Sequence, residues 1–282
     1  MSEGSPAPGG TAPPAFFELV ARPHWQAIEF ISDLHLSEHT PDTFRAFEHH
    51  LLNTDAQAVL LLGDVFEAWV GDDAADSGFE LRCAQLLQAA AQRLHCAFMA
   101  GNRDFLLGPG LLQRCGVQEL PDPTVLAAFG TRTLLSHGDA LCLGDVDYQR
   151  VRVLLRTPQW RAQFLAQPIA VRREQVRRAR AESETRKLGS SPQDYADVDA
   201  PLALQWLRAA AAPVLVHGHT HRPGSGPLGA STAYLRHVLS DWDLEDPRRP
   251  RAEVLRLTAQ GFERRLLGPH PDHLDDRPGV PP

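Results

Sequence analysis

Five short apolar runs, each ending in side chains that can hold a metal ion or a phosphate, constrain this chain more than any other feature. Ile28-Glu29-Phe30-Ile31 leads into Ser32-Asp33-Leu34-His35, and Val59-Leu60-Leu61-Leu62 into Gly63-Asp64. Cys96-Ala97-Phe98-Met99-Ala100 ends in Gly101-Asn102-Arg103-Asp104, Thr133-Leu134-Leu135-Ser136 in His137-Gly138-Asp139, and Val214-Leu215-Val216 in His217-Gly218-His219-Thr220-His221. Apolar runs of this length bounded by Gly read as buried strands, with the polar residues on the loops that follow them. In an open α/β sheet, ligands gather outside those carboxyl ends.

The stretches between the runs are helical. Phe44, Phe47, Leu51 and Leu52 predict a helix over 41–53, with Thr40 as its cap and Pro41 in its first turn. Leu81, Leu86, Leu87 and Leu94 predict another over 79–94. Strands alternating with helices imply a parallel sheet with right-handed crossovers. Past Pro121, 125–129 and 131–136 flank Gly130 as a hairpin, and 234–239, 252–257 and 262–267 read as antiparallel strands. Residues 1–26 and 269–282 are Pro-rich and read as flexible tails around a domain over 27–268.

From Arg150 to Lys187 the strand signal stops and basic residues accumulate, among them Arg152, Arg156, Arg172, Arg173, Arg177, Arg178 and Arg180. Trp160, Phe164, Leu165, Ile169 and Val176 are interleaved, which predicts basic amphipathic helices inserted as a cap over about 145–200. A solvated helix face is the plain reading of such a charge run. The interleaved aromatic residues favour contact with an amphiphilic anionic substrate or an anionic membrane surface.

The 282 residues, 43% of them hydrophobic, suffice for one large core. No apolar run approaches the roughly 20 residues that span a bilayer, and the first 26 lack the basic start and apolar centre of a secretory signal. Cys83, Cys96, Cys115 and Cys142 form no Cys-x-x-Cys pair and read as reduced core residues of a cytoplasmic protein. A net charge of −7 argues against nucleic-acid binding.

Asp33, His35, Asp64, Asn102, His137, His219 and His221 suffice for two divalent ions with one carboxylate bridging them. Their oxygen and imidazole donors suit Mn²⁺, Fe²⁺ or Zn²⁺ better than Ca²⁺. A lone His near a strand end is more often structural than a ligand, and His24, His49, His50, His95, His237, His270 and His273 are read that way. Asp72, Asp73 and Asp76 read as a polar loop before a helix rather than as a third metal cluster, and Trp69 either shapes the site or simply packs.

The five motifs, in this order, resemble those of the calcineurin-like metallophosphoesterase superfamily. The stretches 31–36, 63–73, 101–106 and 217–223 are similar, more closely, to the UDP-2,3-diacylglucosamine pyrophosphatases of lipid A biosynthesis. The resemblance implies a four-layer α/β/β/α sandwich with an inserted helical cap. It implies one ion on Asp33, His35 and His221, a second on Asn102, His137 and His219, Asp64 between them, and Mn²⁺ as the usual metal. The reaction it implies is hydrolysis of UDP-2,3-diacylglucosamine to UMP and 2,3-diacylglucosamine 1-phosphate at the cytoplasmic face of the inner membrane. Asn102, Arg103 and His219 are then catalytic and, with Asp145, Ser183 and Lys187, contact the substrate. Another phosphoester or dinucleotide substrate is the alternative, and a catalytically silent scaffold of the same fold is a third reading that the complete ligand set disfavours.

Overall fold

Each of the five apolar runs is a strand in the computed structural model, which describes residues 13–187 and 196–267. The chain opens with β1 (Phe17–Val20) and β2 (Ala27–Ile31), then α1 (Pro41–Asn53), β3 (Ala58–Leu62), α2 (Gly78–Ala91), β4 (His95–Met99), α3 (Pro109–Cys115) and β5 (Gln118–Leu120). The hairpin β6 (Thr124–Ala128) and β7 (Thr131–Ser136) follows, and then the insert: α4 (Val146–Leu155), α5 (Pro158–Leu165) and α6 (Ile169–Lys187). Helix α7 (Ala200–Ala209) returns the chain to β8 (Val214–His217), β9 (Gly224–Leu228), β10 (Ser231–Val238), β11 (Glu253–Thr258) and β12 (Gly261–Leu266).

These strands form two six-stranded mixed sheets, ordered β1-β6-β7-β8-β10-β9 and β12-β11-β2-β3-β4-β5. Side chains alternate across a strand, so β2 and β3 present two apolar faces. Phe30, Leu60 and Leu62 pack with Met99, Leu126, Leu135 and Val216 between the sheets. Ile31, Val59 and Leu61 turn the other way, onto Phe44, Phe47, Leu86, Leu87 and Leu111 of α1, α2 and α3. On the far side, Val125, Leu134 and Leu215 meet Ala203, Trp206 and Leu207 of α7. Strands buried on both faces read as continuous apolar runs, which is why these were visible in the sequence.

Glu29 interrupts the β2 run and is 1% exposed. A buried carboxylate is tolerated only when paired. Here His50 Nε2 lies 2.8 Å from Oε2, Thr54 donates to the same oxygen at 2.8 Å, and Arg256 donates to Oε1 at 2.9 Å. Burial pushes the carboxyl up, and these partners together hold it below the ordinary range. His50 is therefore structural.

Four sequence expectations need correction. The reading of 1–26 as a flexible tail fails at Phe17–Val20, which pairs in parallel with β6, and at Trp25, which is 4% exposed. Thr40 sits at the start of α1, but its hydroxyl donates back to Ser37 O at 3.1 Å instead of capping the helix. Strand β10 is antiparallel only to β9; its pairing with β8 is parallel. The Arg-rich insert is a solvated face only in part, because Arg172 is 1% exposed, donates to Val70 O at 2.5 Å and pairs with Asp73. Arg173 pairs with Glu80 at 2.7 Å, while Arg177 and Arg178 pair with Glu174 on their own helix. Phe164 is 5% exposed and stacks on Trp160 at 4.9 Å, which in turn meets Phe105 at 6.0 Å.

Candidate metal centre

The loops after β2, β3, β4, β7 and β8 meet at one edge of the two sheets, and backbone hydrogen bonds lace them together. Asp33 N donates to Gly63 O at 3.0 Å, His35 N to Asp64 O at 3.1 Å, and Gly218 N to His137 O at 2.9 Å. Seven non-glycine residues among those described have positive φ, and five of them are Asp33, His35, Asp64, His219 and His221. Such backbone costs of order 1 kcal/mol or more per residue and persists where the surroundings enforce it, commonly at functional sites. Glycines make the close approach possible. A Cβ at Gly101 would collide with the Asp64 carboxylate and one at Gly218 with that of Asp33, while one at Gly63 would stand 2.6 Å from His137 Nδ1.

The side chains converge in two overlapping groups. Asp33, His35 and His221 place ligand atoms within 4.8 Å of one another, as do Asp33, Asp64 and His137. His35 Nε2 and His221 Nε2 face each other at 3.2 Å, and His221 Nε2 lies 3.4 Å from Asp33 Oδ1. His137 Nδ1 lies 2.9 Å from Leu62 O, which turns Nε2 inward to Asn102 Oδ1 at 3.0 Å and Asp64 Oδ1 at 3.6 Å. His219 Nδ1 reaches the same Asn102 oxygen at 2.9 Å. All seven candidate ligands are thus brought to one place. Asp33 is common to both groups, whereas the resemblance places Asp64 between the ions. Asp64 is nonetheless the strongest favourable charge on both His35 and His137.

Burial pushes His35 down to about 4, offset in part by Asp64, and burial with the His137 charge takes His219 to about 4. Burial opposes protonation of His137 too, but Asp64, Asp33 and Asp139 carry it up to about 9. Burial would raise Asp33, and its hydrogen bond to His221 and the charges of His137, His221 and His35 hold it well below the usual range. A cluster of buried carboxylates facing imidazole nitrogens, with no thiolate, is a donor set that fits divalent cations.

Arg103 donates its backbone N–H to Asp64 Oδ1 at 2.9 Å and places Nη1 3.3 Å from Glu67 Oε1. Asp145 is exposed and caps α4, accepting Tyr148 N at 3.0 Å. Ser183 and Lys187 lie in the last turns of α6, and their side chains fall outside the described residues. Asp72 accepts from Gly108 N at 2.8 Å and Leu111 N at 3.2 Å at the start of α3, so the 72–76 segment is the polar turn expected there. Trp69, 2% exposed against Phe66, packs.

Three contributors went unassigned in the sequence reading. Asp104 is fully buried and accepts from Gly101 N at 2.7 Å and Val65 N at 2.8 Å, joining the loops that carry Asn102 and Asp64. Glu67 stands beside His35 and Arg103. Asp139, 0% exposed, receives Tyr148 Oη at 2.6 Å, Arg152 Nε at 2.8 Å and Arg156 Nη2 at 3.1 Å, so it anchors the insert two residues beyond His137. Only its place in the His137-Gly138-Asp139 motif hinted at this. Asp139→Ala leaves two part-buried guanidiniums without their partner and is expected to cost about 3–5 kcal/mol, lowering the melting temperature by on the order of 10 °C. An unchanged melting curve would show that the insert is held by its other contacts, apolar and ionic, without Asp139.

A family model described as calcineurin-like phosphoesterase matches residues 28–223. A UDP-2,3-diacylglucosamine hydrolase of Chromobacterium violaceum is 44% identical over 223 residues, 77% of this chain and 90% of that protein. Proteins of the same name from Bordetella pertussis and Xanthomonas oryzae pv. oryzae are 40% and 39% identical, covering 86% and 82% of this chain and 93% and 95% of theirs.

Proposed function

Since this chain belongs to the calcineurin-like phosphoesterase family, we propose that its clustered Asp, Asn and His side chains hold two divalent ions for one reaction. It is a UDP-2,3-diacylglucosamine hydrolase of lipid A biosynthesis, a pyrophosphatase that releases UMP and 2,3-diacylglucosamine 1-phosphate. The likeness to hydrolases of that name, which spans most of the chain, carries the choice of substrate.

Asp33, His35 and His221 would hold the first ion and Asn102, His137 and His219 the second, with Asp64 shared. The opposed Nε2 atoms of His35 and His221 and the inward-turned Nε2 of His137 support this assignment. The donors suit Mn²⁺, Fe²⁺ or Zn²⁺, and the resemblance to the lipid A pyrophosphatases favours Mn²⁺ among them. When bound, such a pair would supply Lewis-acid polarisation of a phosphoryl oxygen and lower the pKa of water toward neutrality. The polypeptide supplies the rest. Arg103, on the edge of the cluster, pairs with the pyrophosphate and spreads its charge, as guanidinium does bidentately. Asn102 and His219, which share a contact at 2.9 Å, orient the phosphoryl group next to uridine for attack by water, and the P–O bond to the sugar phosphate breaks. Asp145, Ser183 and Lys187 contact the substrate from the insert.

A cavity of about 320 Å³ between α6 and the core borders this edge; Leu36, Phe66, Trp69, Phe79 and Val176 line it together with Glu38, His39, Glu67, Glu80, Arg173, Arg177 and Arg180. Apolar side chains beside several arginines suit an acyl chain on an anionic sugar. Among the described residues no helix is long and apolar enough to cross a membrane. Val146, Val153 and Leu154 are 54%, 67% and 57% exposed on α4 beside Arg150, which supports peripheral attachment to an anionic membrane at its cytoplasmic face. Purified protein offered UDP-2,3-diacylglucosamine, a cyclic nucleotide and a dinucleoside polyphosphate separately is expected to hydrolyse the first in strong preference. Comparable turnover of all three, or none of the acylated sugar, would overturn the assignment.

A further inference from the structure

Glu67 stands where three parts of the molecule meet. Its backbone N–H donates to Leu36 O at 3.0 Å, which fixes the loop after β3 against the loop carrying His35. Its carboxylate is 32% exposed and faces three cations or potential cations. Arg103 Nη1 lies 3.3 Å from Oε1 and 3.4 Å from Oε2. His35 Nδ1 lies 3.3 Å from Oε2, off the line a hydrogen bond needs, and this buried nitrogen has no hydrogen-bond partner among the described residues. Arg180, from α6 of the insert, pairs with Oε1 and also donates Nη1 to Glu67 O at 2.5 Å.

The two nitrogens of His35 thus have separate surroundings, Nε2 facing His221 and Nδ1 facing Glu67. A histidine that ligates a metal through one nitrogen is commonly oriented by a carboxylate at the other, and removing that carboxylate typically costs 10- to 100-fold in metal affinity. The same carboxylate tethers Arg103, the residue assigned to the pyrophosphate, and is itself clasped by Arg180. We propose that Glu67 is a positioning residue that couples the seating of α6, through Arg180, to the orientation of His35 and Arg103 at the metal centre. The proposal rests on the dimetal reading of that centre.

The test compares Glu67→Ala, Glu67→Gln, Arg180→Ala and the double variant Glu67→Ala/Arg180→Ala with the unaltered protein. Mn²⁺ affinity of the metal-depleted proteins is read by titration calorimetry, and kcat and KM are read separately on UDP-2,3-diacylglucosamine. Glu67→Ala is expected to weaken Mn²⁺ binding by roughly 10- to 100-fold and to raise KM. Glu67→Gln retains an acceptor for His35 Nδ1 and loses the charge that holds both guanidiniums, so it recovers most of the Mn²⁺ affinity and keeps the raised KM. Arg180→Ala raises KM with little change in Mn²⁺ affinity, and the two substitutions together raise KM by less than the product of their separate effects, because they share the carboxylate–guanidinium contact although the bond from Arg180 to Glu67 O survives in Glu67→Ala. A merely structural Glu67 would lower the melting temperature without separating affinity from KM in this way. Unaltered Mn²⁺ binding and KM in Glu67→Ala, or effects of the two substitutions that simply add, would overturn the proposal. Absent Mn²⁺ binding in the unaltered protein would instead overturn the dimetal reading, and this inference with it.

Discussion

Asp64→Ala is expected to lower turnover by at least about 10³, with the melting temperature little changed. Asp64 is 2% exposed, accepts Arg103 N at 2.9 Å and supplies the strongest favourable charge to His35 and to His137, which the proposed assignment puts at different ion sites. Its loss weakens both sites at once and frees the backbone of the Asn102–Arg103 loop. The fold tolerates the change because the site already crowds Asp33, Asp64 and Asp104 together, and burial and the Asp64 charge push Asp104 up to about 7. The check is kcat under metal saturation alongside a melting curve. Near-normal kcat in a metal-replete Asp64→Ala protein would contradict its placement between the ions.

Removing divalent ions is expected to abolish turnover altogether, and Mn²⁺ is expected to restore it well beyond Ca²⁺. Ca²⁺ takes six to eight oxygen ligands, while this cluster offers four imidazoles, one amide and two carboxylates. Exhaustive chelation, dialysis and single-metal reconstitution make the measurement. Added Mn²⁺ should also raise the melting temperature of the depleted protein, since a ligand that binds only the folded state stabilises it. Full activity in metal-free protein would contradict the mechanism.

What could be read from the sequence follows from which physical signals are local. The five motif strands were legible because their residues are buried on both faces, and the seven candidate ligands because each sits directly after such a run. Strand β1 was not, since Leu19 alone among its four residues is buried. Strand β9, Gly-Ser-Gly-Pro-Leu, has a composition that argues against a strand and survives as an edge partner of β10. The insert was legible as basic helices, but the partners of its arginines were not. Arg152 and Arg156 reach Asp139, Arg172 reaches Asp73 and Arg180 reaches Glu67, pairings from distant segments that no spacing rule encodes. Glu67 itself sits inside a recognisable stretch, 63–73, yet its role emerges only once the loops after β2 and β3 and helix α6 are seen together.

The proposed centre cleaves the pyrophosphate of UDP-2,3-diacylglucosamine by adding water to the phosphorus next to uridine. Hydrolysis in ¹⁸O-enriched water, with both products examined by mass spectrometry, tests it most directly. UMP and 2,3-diacylglucosamine 1-phosphate are expected to form in equal amounts, with the label in UMP alone. Label in the sugar phosphate, or no cleavage by metal-replete protein, would contradict it.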